Sequence, residues 1–308
     1  MTGEIFYWVF NMSIVATVTG FVIMLLRLIK HLPKRMVFML WTIPFIRFIV
    51  PIGFGSKYSL MQLLNALSVK TVVVYESRLI PSTQLSMTNS IQYAKAYFPV
   101  TYKTSLLEDI FNISSIVWIA VALLFAVILI YVYVKAMLNA QSAVHLKDNV
   151  YVSNKALYPA VYGIIKPKII IPEFCKDDID TILAHEKVHI KRGDNLWRMV
   201  GLITAVLHWF NPFVWLFLKC FLVDMELSCD EKVIKSMNLH QKKAYAHSLL
   251  NTAEKRMLFS SPFGGANISS RIKNILTYKK LSLFSLVCFS VLALIIFYTL
   301  LTNAIGGF

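Results

Sequence analysis

Four long apolar runs dictate what this chain can become. They cover roughly residues 5–26, 36–54, 113–137 and 281–301. A helix needs about 20 apolar residues to cross a bilayer, because the hydrocarbon core is about 30 Å thick. The runs match or approach that length, and a 308-residue chain that is 57% hydrophobic and 15% charged is too apolar for an ordinary soluble domain. The expectation is a multi-pass membrane protein. Arg47 lies inside the second run, where a charge is costly. It is read either as a buried contact with another helix or as a side chain snorkelling beside Pro44 and Pro51.

Basic residues orient the runs. Arg27, Lys30, Lys34 and Arg35 crowd the short loop between the first two, and Lys and Arg collect on the cytoplasmic side. That places 1–54 as two transmembrane helices with a cytoplasmic loop and 55–112 as an extracellular loop. The third transmembrane helix is 113–137. The mixed, basic region 138–280 is then cytoplasmic, 281–302 is the last transmembrane helix and 303–308 an extracellular tail. Both termini are expected outside the plasma membrane. The N-terminus reads MTGEIFYW, without a basic stretch before its apolar run, and is expected to be a retained helix. The net charge of +15 follows the positive-inside pattern, and no DNA-reading motif accompanies it, so direct nucleic-acid binding is not expected. Cys175, Cys220, Cys229 and Cys288 have no CxxC spacing, and their placement argues against disulfides.

Residues 196–223 are also apolar but are interrupted by Asn211-Pro212, which breaks a helix. Two helices lying against or in the inner leaflet are expected. A fifth crossing is the alternative, and it would put 224–280 on the opposite side from 138–195. Residues 149–174 are rich in Val, Ile and Tyr, with Pro and Gly between them, and predict two or three short strands.

The stretch ILAHEKVHIKRGDNL carries chemistry. On a helix, His185 and His189 lie on one face and can share a metal ion, while Glu186 can act as general base. A catalytic zinc needs a third protein ligand and partners that orient the ligands. Both occur in DMELSCDEKV: Glu226 as third ligand and Asp230, four residues on, as acceptor for a histidine N–H. Asp194 is a second candidate for orienting a histidine, or else a helix cap. The bland alternative is an amphipathic helix with surface histidines and a solvated acidic helix end. His208, Tyr245 and His247 are weaker candidates, with His208 considered as an oxyanion donor.

These segments resemble the BlaR/MecR-type membrane metallopeptidases, the antirepressor proteases of inducible beta-lactam resistance. The likeness rests on YPAVYGIIKPKIIIP, ILAHEKVHIKRGDNL, LHWFNPFVW, MELSCDEKV and ISSRIKNIL, in that order. It implies an α-helical integral membrane protein with a cytoplasmic α+β zinc metalloprotease domain of gluzincin type. Zn2+ would be held by His185, His189 and Glu226, with Glu186 as base. It also implies self-cleavage before the last span, proteolysis of a cytoplasmic DNA-binding repressor, and a homodimer. Beta-lactam-sensing members carry a penicillin-binding domain after the last span. TNAIGGF follows Leu301 here, so direct beta-lactam sensing by these residues is not expected, and a relative without that sensor or a gene truncated before it are the two readings.

The segment 254–267 is a candidate self-cleavage linker, with cuts near Phe259, Ser260 and Ser261 or at Lys255-Arg256. Strands in 158–172 are candidates for edge pairing with an extended substrate. Other readings are a membrane quality-control or peptide-processing zinc protease, and a non-catalytic signalling scaffold.

Overall fold

A computed structural model describes residues 2–29, 32–50, 54–60, 105–156, 158–257, 268–278 and 282–302. Most of the 55–112 loop, the 258–267 segment with Phe259, Ser260 and Ser261, and the 303–308 tail lie outside the described residues.

Three described helices are long and apolar enough to span a bilayer: Ile5–Arg27 within α1 (Thr2–Arg27), Ile110–Leu138 within α4 (Ser105–Gln141) and α10 (Leu283–Leu301). The chain is a multi-pass membrane protein by this measure. The second apolar run departs from the single helix expected over 36–54. It folds as two short helices, α2 (Lys34–Leu40) and α3 (Thr42–Ile49), with a turn at Trp41. Pro44 supplies a reason: it has no N–H and would clash inside a continuous helix, whereas the break puts it in the first turn of α3, where no donor is needed. The run ends early because Val50, which precedes Pro51, is extended at φ −103°, ψ 112°.

Arg47 is 2% exposed. It donates from Nε to the Leu300 carbonyl at 2.8 Å and from Nη2 to the Thr302 carbonyl at 2.5 Å. Those carbonyls belong to the end of α10, where helical acceptors lack partners. The contact with another helix, rather than snorkelling, is what the structure contains.

After α4 come β1 (Val144–Lys147), β2 (Val150–Ser153), β3 (Ala160–Tyr162) and β4 (Lys168–Pro172). The sheet order is β1-β2-β4-β3, with β2 and β4 parallel and the other pairs antiparallel. Three of these strands fall in the expected region, and β1 is additional. The sheet buries Val150, Val161, Ile169 and Ile171 against Ile182 of α5 (Ile179–Arg192). This packing fixes the face that α5 turns away from the sheet.

Gly193, at φ +66°, ends α5 in the left-handed conformation that favours glycine and turns the chain into α6 (Asp194–Leu207). The apolar stretch that follows divides at Asn211. Its side chain accepts from the Phe213 N–H at 2.9 Å and caps α7 (Pro212–Ile234), with Pro212 in the first turn. The Asn211 amide also donates to Ser13 and Thr17 of α1 at 2.8 and 2.7 Å. Nearby, the Trp118 indole of α4 donates to the Leu207 carbonyl. α6 and α7 therefore form a hairpin with its tip among the apolar helices and both open ends beside the site described below. A Cβ at Gly20 of α1 would lie 2.2 Å from the Phe217 ring, so the close approach of α1 and α7 requires glycine there. Helices α8 (Leu239–Met257) and α9 (Ile268–Thr277) complete the far side of the site.

Candidate metal centre

α5 places His185 and His189 one turn apart, both buried, with their Nε2 atoms 3.1 Å from each other. α7 brings Glu226 against them: Oε2 lies 3.3 Å from His185 Nε2, and Oε1 lies 3.7 Å from His189 Nε2. Tetrahedral zinc with bonds of about 2.0–2.1 Å needs donors about 3.3 Å apart. The two imidazoles and Glu226 Oε2 beside His185 are close to that spacing, and the carboxylate's approach to His189, through Oε1, is longer. Glu186, beside His185, is buried at 8% exposure.

The outer nitrogens are also partnered. His189 Nδ1 lies 2.5 Å from Asp194 Oδ2. Asp194 is fully buried, and Arg192 pairs with it. His185 Nδ1 lies 3.0 Å from the Tyr245 hydroxyl and 3.2 Å from Asp230 Oδ1. Tyr245 donates to Asp230 at 2.8 Å, and Arg271 of α9 grips both Asp230 oxygens at 2.8 and 2.7 Å. Such partners fix ring orientation and tautomer; at His185 the Arg271 guanidinium also lies 3.4 Å from Nε2.

Burial opposes the Asp230 charge, but the Arg271 guanidinium overcomes it and lowers that carboxyl's pKa. Burial likewise opposes the Glu226 charge, and its contacts with His185 and His189 pull it well below the usual range. For Tyr245, burial dominates and raises the phenol.

Asp194 and Asp230 thus stand where orienting groups for His189 and His185 are needed. Tyr245 also joins them, although no motif marked its role. His208 does not approach the site. It sits at the end of α6, with Nε2 3.0 Å from the Phe48 carbonyl, so it has no place as an oxyanion donor here. Lys255 and Arg256 belong to α8 rather than to an extended linker. Three residues were not assigned from sequence. Arg271 was visible only within a family-like stretch. Arg198 donates to Glu226 Oε1 at 2.7 Å. Cys229 lies with His185 and His189 in one buried group whose candidate donor atoms are all within 4.8 Å of each other. Its thiol donates to the His185 carbonyl at 3.4 Å. Cys229 follows Glu226 by three residues on α7, a spacing that puts both on one helical face.

Apolar spanning helices, a small mixed sheet and a His-x-x-x-His helix met by a later donor are the features of the membrane-bound metallopeptidase class. The chain belongs to the BlaR1 peptidase M56 family, whose model matches residues 7–277. It is 32% identical over 121 residues to the regulatory protein BlaR1 of Bacillus licheniformis, covering 38% of this chain and 20% of that protein. It is 30% identical over 137 residues to the methicillin resistance mecR1 protein of Staphylococcus aureus, covering 39% of this chain and 23% of that protein. Against the regulatory protein BlaR1 of Staphylococcus aureus, identity is 25% over 195 residues, covering 54% of this chain and 32% of that protein. The chain thus spans between a fifth and a third of the length of these relatives.

Proposed function

We propose that the chain is a regulatory zinc endopeptidase of the cell membrane, with its catalytic region facing the cytoplasm. The observation that carries this reading is the preassembled donor set: His185 Nε2 and His189 Nε2 lie 3.1 Å apart, the Glu226 carboxylate reaches them through Oε2 at 3.3 Å and Oε1 at 3.7 Å, and both outer histidine nitrogens are partnered. Bound zinc would supply Lewis acidity to a peptide carbonyl and to water. Glu186 takes a proton from the attacking water on its carboxylate and returns it to the leaving amine. Asp194, Asp230 and Tyr245 hold the imidazoles in place.

The proposed substrates are a cytoplasmic DNA-binding repressor and the chain itself, by analogy with the regulatory and resistance proteins it resembles. A homodimer belongs to the same proposal. Substrate pairing is narrowed by the sheet: β4 lies between β2 and β3, so β3 is the edge available within 158–172. The Asn195 amide covers part of that edge, donating to the Val161 and Gly163 carbonyls at 2.9 and 3.0 Å. An extended substrate pairing with β3 would displace Asn195.

The test is cleavage of a small repressor from a neighbouring gene by the wild-type chain and by Glu186→Ala. Loss of cleavage with zinc retained supports the reading. Equal cleavage by both forms removes Glu186 from the mechanism. A second reading, a closed metal scaffold, is favoured by Cys229, which would complete a four-donor site. A sulfur-to-metal charge-transfer band in the Co2+ protein, lost in Cys229→Ser, would support that scaffold.

A further inference from the structure

We infer that Arg198 is a positioning residue for the third metal ligand, fixing Glu226 as a one-oxygen donor. This rests on the proposed assignment of Glu226 to the metal.

A free carboxylate can offer a metal one oxygen or two. Here its oxygens are already differentiated. Oε1 accepts from Arg198 Nη2 at 2.7 Å, while Oε2 faces His185 Nε2 at 3.3 Å. A charge-assisted bond of that length favours keeping Oε1 away from metal ligation. Oε2 stands at zinc spacing from His185 Nε2, and Oε1, which lies 3.7 Å from His189 Nε2, is the oxygen that Arg198 holds. Arg271 is the other nearby cation, with Nη1 3.9 Å from Glu226 Oε2, but it is engaged with Asp230.

The placement of Arg198 on α6 gives it a wider role. Asp194, four residues earlier, supports His189, so one face of α6 braces donors arriving from both α5 and α7. Arg198 also reaches Asn195, with Nη1 3.5 Å from Oδ1, and Asn195 holds the carbonyls of Val161 in β3 and of Gly163 just after it. The metal ligand and the candidate substrate edge are therefore tied through two side chains one turn apart.

The Arg198 side chain is 32% exposed. An ordinary pair of that kind would contribute little to stability. A positioning role instead changes the metal's coordination, and that is separable by measurement.

The experiment uses the full chain in detergent, with Co2+ replacing zinc for spectroscopy and zinc affinity measured by chelator competition. Wild type, Arg198→Gln, Arg198→Lys and Glu226→Gln are compared. Melting of each metal-free form checks folding. Arg198→Gln is expected to lose visible absorption intensity as Glu226 becomes a two-oxygen donor and coordination rises. Its zinc affinity should fall by about 10- to 100-fold. Arg198→Lys should recover part of both signals. A wild-type spectrum and affinity in Arg198→Gln, alongside metal loss in Glu226→Gln, would overturn this inference while leaving the ligand assignment intact. Wild-type metal binding in Glu226→Gln would overturn both.

Discussion

The proposed function gives Glu186 and Glu226, the same residue type, two different tasks, and substitutions should separate them. Glu186→Ala is expected to keep its zinc and lose about 10²–10⁴-fold in peptide hydrolysis, measured beside metal content. Unchanged turnover would refute its role as base. Arg271→Ala should leave the buried Asp230 without its main cation, at a cost of about 3–5 kcal/mol in unfolding. Unfolding in detergent measures that loss, and a wild-type midpoint would contradict it.

His189 gives a pH prediction at the same scale. Burial disfavours its charge, but Asp194, Cys229 and Glu226 outweigh burial and raise its pKa well above the ordinary value. In the metal-free protein its stabilising protonation is complete below about pH 6.5 and is lost as pH rises through the folded value. Zinc at this site would have to displace that proton, so its affinity is expected to increase as pH rises toward the folded value. A flat competition curve between about pH 6.5 and 8 would contradict the coupling. The histidine pair and the Glu226–Asp230 pair were legible because helical spacing is local information. Arg198, Arg271 and Tyr245 were not, since their partners lie 28, 41 and 60 residues away in sequence and are chosen by tertiary packing.

The elements hold the donors through a small number of joints. α7 carries Glu226 between two anchors to the first helical pair. Fully buried Asp224 accepts from the Arg27 guanidinium at 2.8 Å and from the Trp41 indole at 2.9 Å. Glu231 accepts from the Lys34 and Arg35 backbone N–H groups at 3.2 and 3.4 Å. At the other end, Asn211→Ala removes the α7 cap and its bonds to α1. Cap loss alone is worth about 0.5–2 kcal/mol, read as a lower melting temperature in detergent. No shift would mean that the tip contributes nothing to folding. The Asn-Pro break was legible because proline acts on its own backbone. The division of the second apolar run was harder to place, since a hydropathy pattern shows the greasy run but not the turn at Trp41. β1 was missed because it is four residues long and exposed throughout, too short for the alternation of Val144 and Leu146 with His145 and Lys147 to mark a strand.

Across the whole molecule, the hairpin geometry brings both halves of the candidate metal centre together. Asp194 opens α6 and Glu226 lies on the returning α7, and both meet the His185–His189 helix. Their proximity opposes a simple crossing by 196–223 that would separate them. The basic loop then argues for the cytoplasmic side. A cysteine replacing exposed Lys243 is accordingly expected to react with a membrane-impermeant maleimide only after cells are opened. Labelling of intact cells would reverse the orientation.

The most direct measurement uses native membranes containing the full chain tagged at both ends, comparing fragments and zinc content for wild type and Glu186→Ala. The account predicts a fragment from wild type alone, with its cut within 250–280, and equal zinc in the two forms. Identical fragment patterns at equal zinc content would contradict the claim that HEKVH is a working protease centre.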